Sequence, residues 1–133
     1  MENLTAAIGT KFNALPHNSF YTSVNGILRK EIAEPTDVPP YAVFHVISDT
    51  PEWTFTTFFE KARIQFNLYS KKNGSTEVEG LFTALKALYD WCELTIAGNV
   101  HLYMRRELAR LSKDTENNVW VYNVDYEILM ERN

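Results

Sequence analysis

At 133 residues, with 23% charged and 45% hydrophobic side chains, the chain is long enough for one domain with a real core and too short for two. No apolar run approaches the ~20 residues of a bilayer helix, and the composition is that of a folded protein and not a disordered tail. A formal net charge of −4 argues against gripping nucleic acid, which takes clustered Lys and Arg; only Lys71-Lys72 and Arg105-Arg106 are adjacent basic pairs. The start, Met-Glu-Asn-Leu-Thr, lacks the basic region and apolar stretch of a signal peptide. A single cysteine, Cys92, excludes an internal disulfide and fits a reducing compartment.

Leu4, Ile8, Phe12 and Leu15 recur at helical spacing, with Asn3 or Thr5 to cap the start and Pro16 to end it, so a helix is predicted over 3–15. Ser19–Val24 and Ile27–Ile32 read as strands joined by Asn25-Gly26, a dipeptide suited to a two-residue type I′ turn. Three of the five prolines then fall in residues 34–40, fixing an extended entry to a strand over Pro39–Asp49. Apolar residues on both parities there predict a central strand covered on both faces.

Thr50–Glu60 is aromatic without a helical period. Its rings either cap the domain's own core or, as contiguous aromatic surface, meet another subunit. Ala62–Ser70 alternates strictly, as a half-buried strand does, and Lys71–Gly74 turns. Thr76–Cys92 is the clearest helix: Val78, Leu81, Phe82, Leu85, Leu88, Tyr89 and Cys92 make one stripe, and Thr76 and Glu79 have capping-box spacing. Leu94–Ile96 is a short extended piece. Over Val100–Leu111 the apolar residues alternate on even numbers and then shift, which predicts a bulge near Arg106. A polar turn over 112–118 leads to a final strand, Val119–Met130, with Trp120, Tyr122, Val124, Tyr126, Ile128 and Met130 on one face. The expected fold is a single α+β domain over 1–133: a mostly antiparallel sheet, one long helix across a face, and an N-terminal helix beside it.

Catalytic chemistry finds little to stand on. His17, His45 and His101 have no metal-binding spacing, and His45 is better read as a hydrogen-bonded strand residue than as a base. Cys92 lies on an apolar helix stripe, where a thiol acts as a small hydrophobe. Asp49 and Glu52 flank a Thr-Pro turn, and Glu77 and Glu79 sit where a helix start favours negative charge. No phosphate loop, nucleophile elbow or paired-cysteine motif is present. The expectation is a non-enzyme with no cofactor and no metal; the rival of another class is a small binding or catalytic domain with His45 and Asp49 in one pocket.

The Pro40-Tyr41-x-Val43-Phe44 and Ile47-Ser48-Asp49-Thr50-Pro51 strand, the Ile64–Ser70 strand, the Glu77–Leu88 helix and the closing Trp120–Tyr126 strand together resemble the tail-completion, or tail-terminator, family of long-tailed phages and related particles. The resemblance covers most of residues 39–130; the first 38 residues depart from it. It implies a structural virion protein, made in the host cytoplasm, that assembles as a ring, typically a hexamer, on the head-proximal end of the tail. Such a ring stops polymerisation of the tail tube protein and meets the head-tail connector or stopper protein. DNA would pass through without specific binding: six copies at −4 each would sum to −24, and an acidic lining of the bore would repel phosphate. A stopper protein on the head side of the joint is the nearest alternative. Trp53, Phe55, Phe58 and Phe59 are the expected subunit or tube contacts, with Asn117 and Asn118 of the polar turn a second candidate.

Overall fold

The computed structural model describes residues 2–53, 58–72 and 74–132. Its elements are α1 (Glu2–Asn13), α2 (Ser19–Ser23), β1 (Leu28–Lys30), β2 (Tyr41–Trp53), β3 (Phe58–Ser70), α3 (Thr76–Tyr89), β4 (Asn99–Asp114) and β5 (Val119–Arg132). The strands form one sheet ordered β1-β2-β3-β5-β4; every pairing is antiparallel except β1 with β2. This is the expected α+β architecture.

The helices share one face of the sheet. Ala42, Phe44, Ala62, Ile64, Phe66, Leu68, Val124, Tyr126, Ile128 and Met130 point into a core with Leu4, Ile8 and Phe12 of α1, Phe20 of α2, and Val78, Leu81, Leu85 and Tyr89 of α3. Phe66 sits at its centre, stacked on Tyr89 at 4.9 Å and edge-on to Tyr126 at 5.7 Å. The Tyr89 hydroxyl donates to the Ile8 carbonyl at 2.9 Å, tying α1 to α3 through the interior.

Several sequence expectations are corrected. The Ser19–Ile32 hairpin does not form. Asn18 caps a helical turn instead, its Oδ1 accepting from the Tyr21 amide at 2.7 Å, and Phe20 and Val24, one turn apart, are fully buried. Asn25 and Gly26 do take positive φ, 54° and 73°, but they close this helix: the Gly26 amide donates back to the Tyr21 carbonyl at 2.8 Å, in the six-to-one pattern of a helix C-terminus. The chain then enters β1, parallel to β2. In α1, Leu15 lies beyond the helix and is 80% exposed, so the buried stripe stops at Phe12.

β2 is second in the sheet and β3 is central. Val43 is nonetheless buried on the face opposite the helices. It lies in register with Arg29, whose guanidinium binds Asp37 at 2.9 and 3.0 Å, so the Glu31–Pro40 connection folds back over this corner. The described part of the aromatic stretch is strand, because β2 and β3 stay paired out to Trp53 and Phe58. α3 ends three residues earlier than expected, and its start shows no capping box: Ser75 precedes it without a side-chain cap, donating to Glu79 at 3.1 Å. In β4 the pairing slips between Arg106 and Leu108, as the sequence pattern predicts, and again between His101 and Tyr103. Each slip inserts one residue, and the one at Glu107 carries the inward parity from Met104 to Ala109 and Leu111.

Candidate assembly surfaces

The long strands define two ends. At one, Trp53 pairs with Phe58, and Phe59, Glu131 and Val100 share a row; Phe55 lies outside the described residues. At the other, four residues join β4 to β5. There Asp114 accepts from the amides of Glu116 and Asn117 at 3.1 and 3.3 Å and from the Asn117 side chain at 2.8 Å. These bonds, the Asn117 side chain's first, hold the Asp114 carboxyl below its ordinary range. Asn118 has φ 54°, a left-handed turn position that asparagine tolerates. The nominated residues therefore split into an aromatic end and a turn end, thirteen strand steps and roughly 40 Å apart.

The sheet face away from the helices is polar and internally wired. Gln65 donates to Asp125 at 2.9 Å, and Asn123 donates to Asn67. Glu127 is approached by Arg105 at 2.6 Å and Lys61 at 3.6 Å and accepts from the Tyr103 hydroxyl at 3.1 Å. Burial works against the Glu127 carboxylate, but its hydrogen bonds and these cations prevail and its pKa is lowered. Asp125 and Glu127 are only 9% and 7% exposed although no helix covers them, because their neighbours' side chains lie across them. The alternation in β5 makes both look solvent-facing, and nothing in the sequence marks them as paired.

His45 and Asp49, the rival's candidates, are not brought together. They pair with Gln65 and Ala62 in rows on either side of the β2 register shift, four residues or about 13 Å apart along the strand. Cys92 packs 3.6 Å from the Met104 sulfur, and burial pushes its thiol up to about 11, so it is protonated and unreactive at neutral pH. Among the described residues no group of three His, Cys, Asp or Glu is arranged to hold a metal, and no helix is long and apolar enough to cross a membrane.

What the molecule displays is apolar surface at its margins. Trp91 (70% exposed), Val100 and Leu102 line a 400 Å³ hollow with Tyr103 and His101 at the aromatic end. Trp91 has φ 55°, a conformation costly for a bulky residue, held by its amide bond to the Met104 carbonyl at 2.8 Å. Ile32 and Val38 stand out beside β1, and Leu108 on β4. These are aliphatic and aromatic surfaces at sheet edges, of the kind that joins protein to protein.

The chain is thus a two-layer α+β domain with free sheet edges and apolar margins. Solved structures contain this fold: the chain aligns with one from the virion of a native gene transfer agent particle at a TM-score of 0.84 and 9% identity, over 96% of this chain and 94% of that one. A second solved structure, which carries no functional description, aligns at a TM-score of 0.55 and 13% identity over 99% and 94% of the two chains. No protein-family model matches the sequence, and no curated protein matches it.

Proposed function

We propose that this protein is a structural component of a phage-like virion and acts as a tail terminator: a ring, six-membered on the family pattern, that caps the head-proximal end of the tail tube and presents the surface for head joining. The observation that carries the reading is the fold shared along nearly the whole chain with a component of a gene transfer agent virion. The margins support it, because Trp91, Val100 and Leu102 are exposed at the end where Trp53 pairs with Phe58 and where Phe59 lies. In this reading that end seats on the tube, and the Asn117-Asn118 end faces the connector.

Particles made without the gene, and again with it restored from a plasmid, test the assignment under the electron microscope. Tails of uncontrolled length that fail to join heads are the expected result. Normal-length free tails beside heads that lose their DNA would move the protein to the head side of the joint, as a stopper. Unaltered infectious particles would overturn an assembly role.

A further inference from the structure

A ring needs two different surfaces on each subunit, one for each neighbour, and they must lie at the same height along the ring axis or the assembly climbs into a helix. The sheet has two such edges. On one side, β4 pairs only with β5; its first residues are screened by the segment after α3, through the Trp91–Met104 bond, but from Arg105 to Asp114 its outer edge is bare among the described residues. This half carries Arg105, Arg106, Arg110 and Lys113 against Glu107 and Asp114, a balance of +2. Arg105 and Arg106 are turned inward to Glu127 and Asp90, while Leu108 and Arg110 stand exposed.

On the other side, residues 31–38 follow β1 and hold Glu31, Glu34 and Asp37 with no Lys or Arg, a balance of −3. Arg29 binds Asp37 from within and reaches Glu34 at 3.5 Å; Glu31 and the outer part of Glu34 stand at the surface beside Ile32 and Val38, which are 79% and 69% exposed. The two edges are level: Arg29, Val43, Asn67, Asn123 and Arg110 form one row across the whole sheet. The acidic segment tethered to Arg29 thus meets the same row that ends in Arg110 on β4. Two copies of the basic edge would repel each other, which disfavours a two-fold pairing through β4.

We infer that the 31–38 segment of one copy docks on the outer edge of β4 of the next copy, Ile32 and Val38 against Leu108, and Glu31 and Glu34 against Arg110 and Lys113. The inference deepens the ring reading and rests on it. Two full-length variants test it by analytical ultracentrifugation at low and high salt: L108D/R110E, which spoils the β4 edge, and I32D/V38D, which spoils the acidic segment. All four positions are exposed or at the surface, so circular dichroism melts should match the wild type. Neither variant should assemble alone. Mixed, they should form a species of twice the 15.4 kDa chain mass and no larger, since each brings one intact edge and the spoiled edges are both acidic; salt should weaken it.

Either variant assembling alone like the wild type, or a mixture that stays monomeric while the wild type assembles, would overturn these edges as the contact and leave the terminator reading standing. A wild-type chain that stays monomeric at millimolar concentration and on isolated tail tubes would sink the ring and this contact together.

Discussion

His101 couples local chemistry to stability. Its Nδ1 accepts from the Leu94 amide at 3.3 Å, an arrangement that only the unprotonated nitrogen can make, and burial holds its pKa below the ordinary histidine value. The neutral ring is the folded form, so its contribution is complete above the unfolded pKa near 6.5 and is lost as pH falls through the lower folded value. Thermal melts should show the midpoint falling as the pH drops below about 6.5, and His101→Asn, which keeps an acceptor, should flatten that slope. At the core's centre, Phe66→Ala removes the ring that Tyr89 and Tyr126 pack against and should cost about 3–5 kcal/mol in denaturant unfolding. A loss below about 1 kcal/mol would mean that the neighbouring rings collapse into the space.

Among the elements, the α2 exit is the most constrained by sequence. Gly26 has φ +73°, and a Cβ there would lie 2.9 Å from the Tyr21 hydroxyl oxygen. Gly26→Ala meets both a left-handed backbone and a clash, and it should destabilise by roughly 1–2 kcal/mol; Gly80→Ala, in open space inside α3, should be neutral or stabilising by a few tenths. Comparing the two by chemical denaturation separates the turn requirement from any general intolerance of alanine. The Arg29–Asp37 clasp is the other element-scale device. Asp37 is held below the ordinary carboxylate range by its hydrogen bond from Arg29, so this contribution is present above about pH 4 and fades on acidification. Asp37→Asn should loosen the 31–38 connection, measured as faster amide exchange there, without unfolding the sheet.

For the whole molecule, assembly and folding should be separable. Replacing Trp53 and Phe58 together by alanine is expected to abolish ring formation or tube capping while leaving the thermal transition in place, if the aromatic end serves contacts outside the chain. A collapsed transition would instead assign both rings to the domain's own core. The sheet, more than 40 Å along its strands against about 21 Å for the fourteen residues of α3, extends past that helix.

The sequence by itself determined the class, the helical lid and the long strands, β3 and β5 most directly, because period-2 and period-3.6 burial patterns are local and α3, β3 and β5 follow them without interruption. It also located the β4 bulge, through the shift in apolar parity. The helical turn at Ser19–Ser23 was legible in Asn18 and the Phe20–Val24 spacing, but the β-branched and aromatic content and the Asn25-Gly26 pair pointed to a hairpin, and burial of Phe20 under α3 decided otherwise. Only the tertiary structure decided which strands are neighbours. The parallel β1–β2 pairing, the Asp125 and Glu127 networks and the row linking Arg29 to Arg110 join residues tens of positions apart, and no periodicity within one segment encodes which segment lies beside it. The aromatic stretch stood out in the sequence as a candidate contact surface; the matched edges did not, because an edge exists only once the order of strands is fixed.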